Sequence, residues 1–168
     1  MRIATVGTAA IVVILASGAA SATGAQPDRV KLCSPAEVRT TVDRFIAAFN
    51  AGDARRLDRI FSHKPYFRWY STDAPGERFL PSAVHRGSLL PYFAQRHALG
   101  ERLTLRSLRV NGNTVASGAG WKTYGNFQYT LVRAATDLPA TNYGGKGSLH
   151  CHRTTPDVIF VWSMSRHD

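Results

Sequence analysis

The chain changes character once, near Gly100, and that switch limits what it can fold into more than any other feature. Before it, apolar residues recur at helical spacing; after it, short segments read as strands broken by turn residues. Ser34-Pro35-Ala36-Glu37 has the form of a capping box, with Ser34 as N-cap, Pro35 at the first helical position and Glu37 at the third. Val38, Val42, Phe45, Ile46 and Phe49 follow at spacings of three and four, which makes one apolar helical face. Asn50-Ala51-Gly52 closes that helix, and Asp53 caps a second, short one with Leu57, Ile60 and Phe61 inward and Arg55, Arg56 and Arg59 in solvent.

The aromatic run 66–70 predicts a strand, 71–81 a loop, and 88–99 a third helix with Pro91 in its first turn. Segments 103–110, 115–124, 127–133, 147–153 and 158–164 read as five strands. Asn111-Gly112-Asn113 and Gly125-Asn126 read as tight turns between them, and 136–146 as a mobile loop. Helices followed by an antiparallel meander mean an α+β fold and exclude a Rossmann-type alternation.

The first residues read as an address. Met1-Arg2 precedes an uncharged, mostly apolar stretch, and Ala20-Ser21-Ala22 fits the small-x-small rule of signal peptidase. The expected organisation is a cleaved signal peptide over 1–22, an approach segment over 23–33 and one domain over 34–168, exported from the cell. In an oxidising compartment Cys33 and Cys151 are expected to pair. Closing so long a loop stabilises by ~4–5 kcal/mol in the chain-entropy picture. The alternatives are two separate buried thiols, or a reactive Cys151 flanked by His150 and His152.

Lys and Arg number 21 against 11 Asp and Glu, and 17 of the 21 are arginines scattered along the chain. A basic stripe interleaved with aromatics is missing, which argues against nucleic acid as partner. For an exported basic protein, an anionic cell-envelope surface is the more natural counterpart.

The run Val42-Asp43-Arg44-Phe45-Ile46-Ala47-Ala48-Phe49-Asn50-Ala51-Gly52-Asp53, with Leu57 and Ile60-Phe61 after it, resembles the opening of the nuclear-transport-factor-two-like superfamily. Its members include SnoaL-like polyketide cyclases and ketosteroid isomerases. Gly145-Lys146-Gly147 and Ile159-Phe160-Val161-Trp162-Ser163-Met164 resemble the closing hairpin of the same fold. The resemblance implies N-terminal helices packed in the concave face of a curved, mainly antiparallel sheet, enclosing a conical pocket, with homodimers among the look-alikes. Fold alone leaves function open.

Carried over residue by residue, the isomerase site is not matched. Phe45 stands where the isomerases have a tyrosine donor, Trp69 or a neighbour where they have an aspartate base, and His150 near their protonated aspartate. Phe45, Phe67, Trp69, Trp121 and His150 are instead the expected lining of an apolar pocket with one polar corner, suited to a small apolar or aromatic molecule. The expected function is a secreted, non-catalytic binding domain for such a molecule or for a partner protein. The alternative is a SnoaL-like enzyme with His150 as its catalytic group and Asp73 or Glu77 as a loop carboxylate. His150 and His152 share a strand face, but a third ligand would have to come from His63, His85, His97 or Asp73, so neither metal nor cofactor is expected.

Overall fold

The computed structural model describes residues 31–63, 68–72, 80–83, 86–115 and 122–167. The signal peptide expected over 1–22, most of the expected approach segment, Phe67 and Trp121 lie outside the described residues. Three helices, α1 (Pro35–Ala51), α2 (Ala54–Ile60) and α3 (Arg86–Ala98), accompany six strands, β1 (Arg68–Thr72), β2 (Leu80–Ala83), β3 (Arg102–Val115), β4 (Lys122–Ala135), β5 (Leu138–His150) and β6 (Val158–Arg166). The strands form one sheet in the order β2-β1-β6-β5-β4-β3. Among the described strands only the β1–β6 pair is parallel, with a further parallel bridge from Phe61 to Ile159. Bulges in β3 near Ser107 and Gly112, and between β5 and β6 near Leu149, bend the sheet around the helices, as extra residues in one strand do. Among the described residues no helix is long and apolar enough to cross a membrane.

The helix boundaries follow from local chemistry. The Ser34 hydroxyl accepts from the Glu37 N–H, and the Glu37 carboxylate accepts from the Ser34 N–H at 2.8 Å. Gly52 ends α1 in the left-handed region at φ 66°, and Asp53 caps α2 through the Arg56 N–H at 2.9 Å. Asn50, in the same corner, uses both ends of its amide. It donates to the Leu103 carbonyl and accepts from the Leu103 N–H, each at 2.8 Å. The corner therefore ties the end of α1 to the start of β3.

From residue 80 onward the structure corrects four expectations. Asn111-Gly112-Asn113 and Gly125-Asn126 are not turns but lie inside β3 and β4. Gly125 is required by close approach, because a Cβ there would sit 2.7 Å from Cys33 Sγ. The expected mobile loop 136–146 is mostly strand: Thr136-Asp137 make a two-residue turn and β5 then pairs with β4 on one side and β6 on the other. In β5, Gly145 and Gly147 clear space for rings, since a Cβ would lie 2.7 Å from Tyr129 Cζ at the first and 2.1 Å from Phe127 Cζ at the second. Strand β2 falls where a loop was expected. Helix α3 begins at Arg86, so Pro91 sits inside it rather than in the first turn. The carbonyl that loses its donor is that of Gly87, which is exposed and can turn to water.

Cys33 and Cys151 form a disulfide, and the Lys31 N–H donates to the Cys151 carbonyl at 2.8 Å, so the N-terminal segment runs beside the end of β5. The Lys31 ammonium pairs with Glu37. That hydrogen bond, with the one from the Ser34 N–H, lowers the Glu37 pKa from 4.5 to about 2. A carboxylate depressed on folding contributes stability that is fully present above its unfolded value and is lost as pH falls through its folded value. Between pH 4.5 and about 2 the unfolding midpoint in urea should therefore fall, and Glu37→Gln should flatten that limb; an unchanged limb in the variant would refute the assignment.

Candidate functional site

The concave side of the sheet is occupied by rings from four directions. Phe45 of α1 is enclosed by Phe49, Phe61, Trp69, Phe93 and Trp162, with centroid distances from 4.6 Å to Trp162 up to 6.1 Å to Phe93. Trp69 and Trp162, neighbours across the parallel β1–β6 pair, stack at 6.0 Å and 10°. Tyr129 closes on Trp162 at 4.3 Å, and Phe127 at 5.7 Å. Burial pushes the Tyr129 phenol well above its usual pKa; its hydroxyl donates to the Ser163 carbonyl at 2.8 Å. Three grooves formed by described residues lie elsewhere: one against α1 and α2 at Arg44, Arg56 and Arg59, and two on β3 to β6.

The structure brings only part of the expected pocket together. Phe45 and Trp69 meet edge to face, 6.0 Å apart. His150 does not join them. Leu149 and Cys151, its neighbours in β5, face the helices, Leu149 in the core and Cys151 in its bond to Cys33. Alternation along the strand turns His150 to the other face. There it stacks on Phe160 at 5.0 Å and 17°, and Phe160 lies outside the continuous core cluster. Asp73 and Glu77, the loop carboxylates of the enzymatic alternative, lie outside the described residues. Among the described residues no three His, Cys, Asp or Glu side chains gather as metal ligands would.

A buried charge network was not anticipated. Arg133 of β4 and Glu101, just before β3, are 4% and 1% exposed. The guanidinium donates to both carboxylate oxygens, from Nε at 2.8 Å and from the second terminal nitrogen at 3.2 Å. Arg133 also lies 4.8 Å over the Tyr143 ring and touches Met164 Sδ at 3.7 Å. Arg96 of α3 pairs with Glu101 as well and reaches Asp137 in the β4–β5 turn with two bonds, at 2.8 and 2.9 Å. Burial is the largest single influence on Arg133 and works against its charge, but the hydrogen bond and charge of Glu101, with Tyr92 and Tyr143, together outweigh it and raise its pKa. The hydrogen bond to Arg96 lowers that of Asp137. The signal was in the sequence: Arg133 continues the inward phase of Phe127, Tyr129 and Leu131, and an inward arginine demands a buried carboxylate.

On the opposite face, β3 to β6 present an open groove of about 590 Å³ lined mainly by residues with polar side chains, whose carbon atoms supply much of its surface. Across it Arg109 faces Gln128, Gln128 faces Lys146, and Lys146 faces Ser163. Beside that row, Ser107 and Thr130 share a hydroxyl–hydroxyl bond of 2.7 Å, and Gly144 leaves the floor open.

No protein-family model matches the chain, and no curated protein matches it. Solved structures do. A protein of unknown function with a cystatin-like fold from Nostoc punctiforme is 11% identical, with a TM-score of 0.56 over 82% of this chain and 95% of that one. A ketosteroid isomerase-like protein from Erwinia carotovora atroseptica is 12% identical, with 0.51 over 79% and 95%. A nuclear-transport-factor-two-like protein of unknown function from Pseudomonas aeruginosa is 13% identical, with 0.51 over 79% and 97%. The chain has the nuclear-transport-factor-two-like cone fold. At such identities the likeness carries the fold alone.

In this cone the charge network closes the inner layer where α3 meets the β4–β5 turn. Glu101→Gln leaves Arg133 buried without its counter-charge and should cost about 3–5 kcal/mol in urea unfolding. Adding Arg133→Met should restore most of that stability, because it removes the stranded charge. A neutral single substitution would contradict this reading.

Proposed function

We propose that this protein is an exported, non-catalytic binding domain that holds its partner on the outside of the cone. The observation that carries the reading is Phe45, boxed in by five aromatic rings where a ligand of the cone would have to sit. A catalytic reading needs a titratable group among those rings. The described groups nearest to that role are otherwise engaged: the Tyr129 hydroxyl donates to the Ser163 carbonyl, Tyr92 bonds Arg133, His150 is stacked on the far face, and Glu101 and Arg133 neutralise one another. The disulfide supports export, since such bonds persist in oxidising compartments.

An apolar small molecule in the cone is the competing reading, and mass separates the two. Native mass spectrometry of the protein purified gently from its own host should give the mass of the bare polypeptide, two hydrogens below the reduced chain. A non-covalent adduct that survives Arg109→Glu but is lost on Phe45→Trp would place a ligand among the rings and overturn the proposal.

A further inference from the structure

We propose that the outward face of β3 to β6 binds an anionic polysaccharide whose chain lies across the strands. This rests on the reading that the partner is held outside the cone. Besides the buried, inward Arg133, the four strands together carry six Lys and Arg and not one Asp or Glu. Among the described residues beyond Gly100 the carboxylates are Glu101, Asp137 and Asp157. The first is buried against Arg133, the second is held by Arg96, and the third accepts from the His152 N–H at 3.0 Å. The helices carry seven arginines as well, but with Glu37, Asp43 and Asp58 among them, whereas these four strands have no carboxylate of their own.

The groove concentrates that charge on a hydrogen-bonding floor. Arg109 and Lys146 are exposed and stand in one cross-strand row, two strands apart, which sets them roughly 10 Å from each other. Between and beside them are Gln128, Ser163, Thr130 and Ser107, with both donors and acceptors for sugar hydroxyls. Three other occupants fit less well. A single-stranded nucleic acid wants aromatic platforms, and the ring in this lining, Tyr129, is buried. A membrane surface wants apolar side chains to insert, and Leu32 is the exposed large apolar residue among those described. A second copy docked face to face by twofold symmetry would set cationic rows against each other with no carboxylate between them.

Gly144 provides a clean test of the groove. It has no positive φ, and a Cβ there meets Tyr129 O at 3.9 Å and His167 Cβ at 4.0 Å, which are ordinary contacts. Gly144→Phe should therefore keep the Tm while filling the floor. The probe is polygalacturonate, titrated calorimetrically into the purified protein, with neutral dextran and single-stranded DNA as comparisons. Binding should weaken with salt. Arg109→Glu with Lys146→Glu should weaken it by about tenfold or more, whereas the same charge change at Arg39 and Arg55, exposed on the helices, should leave it within about threefold.

Gly144→Phe should abolish binding at unchanged Tm. Failure to bind polygalacturonate, equal losses from the two charge-reversal pairs, tighter binding of the DNA, or binding unaffected by Gly144→Phe would each overturn the inference. So would a solution dimer that Gly144→Phe dissolves, which would assign the face to a second copy. None of these outcomes bears on whether the cone is filled, which the native mass reads independently.

Discussion

The contact of Phe45 with Trp162, 4.6 Å between centroids, is the constraint on which the rest of this structure depends. Phe45 comes from the first helix and Trp162 from the last strand, so the pair joins the two ends of the domain through its centre. Around it the core is aromatic rather than aliphatic. Edge-to-face contacts dominate around Phe45, the geometry in which ring pairs contribute about 0.5–1.5 kcal/mol beyond their buried area. Large flat rings need flat ground, which is why Gly145 and Gly147 lie beneath Tyr129 and Phe127. On the proposed reading, rings of this size fill a cone that small aliphatic side chains would leave open.

Filling the interior moves the chemistry outward. Several polar residues that remain inside are paired: Arg133 with Glu101, Asn50 with the Leu103 backbone, and the Tyr129 hydroxyl with the Ser163 carbonyl. These are satisfied in place, as most buried polar groups are, whereas the Trp162 indole N–H has no hydrogen-bond acceptor among the described residues. Unspent hydrogen-bonding capacity and unneutralised charge lie instead on the outward sheet face, where Arg109 and Lys146 have no carboxylate beside them among the described residues of the strands.

Much of the fold was legible because its signals are local. The capping box at Ser34, the left-handed Gly52 and the Asp53 cap depend on residues within one turn of each other. The glycines of β3, β4 and β5 misled because a glycine marks either a turn or a close approach, and only the partner element says which. At Gly125 that partner is Cys33, from the other end of the chain. His150 was assigned to the cone because period-two alternation relates residues to each other but does not say which set faces the helices. Its neighbour Cys151 settles the phase once the bond to Cys33 is known. The network of Arg96, Glu101, Arg133 and Asp137 joins α3, the start of β3 and the β4–β5 turn, and no sequence window contains it.

The most direct test of a filled cone is to look for empty space within it. Xenon enters apolar cavities and leaves well-packed cores alone. Methyl spectra of the protein recorded under rising xenon pressure should show no saturating shift for Val42, Leu89 or Leu131, all buried in the aromatic core. A saturating shift centred on those methyls would reveal a pocket among the rings and contradict the account.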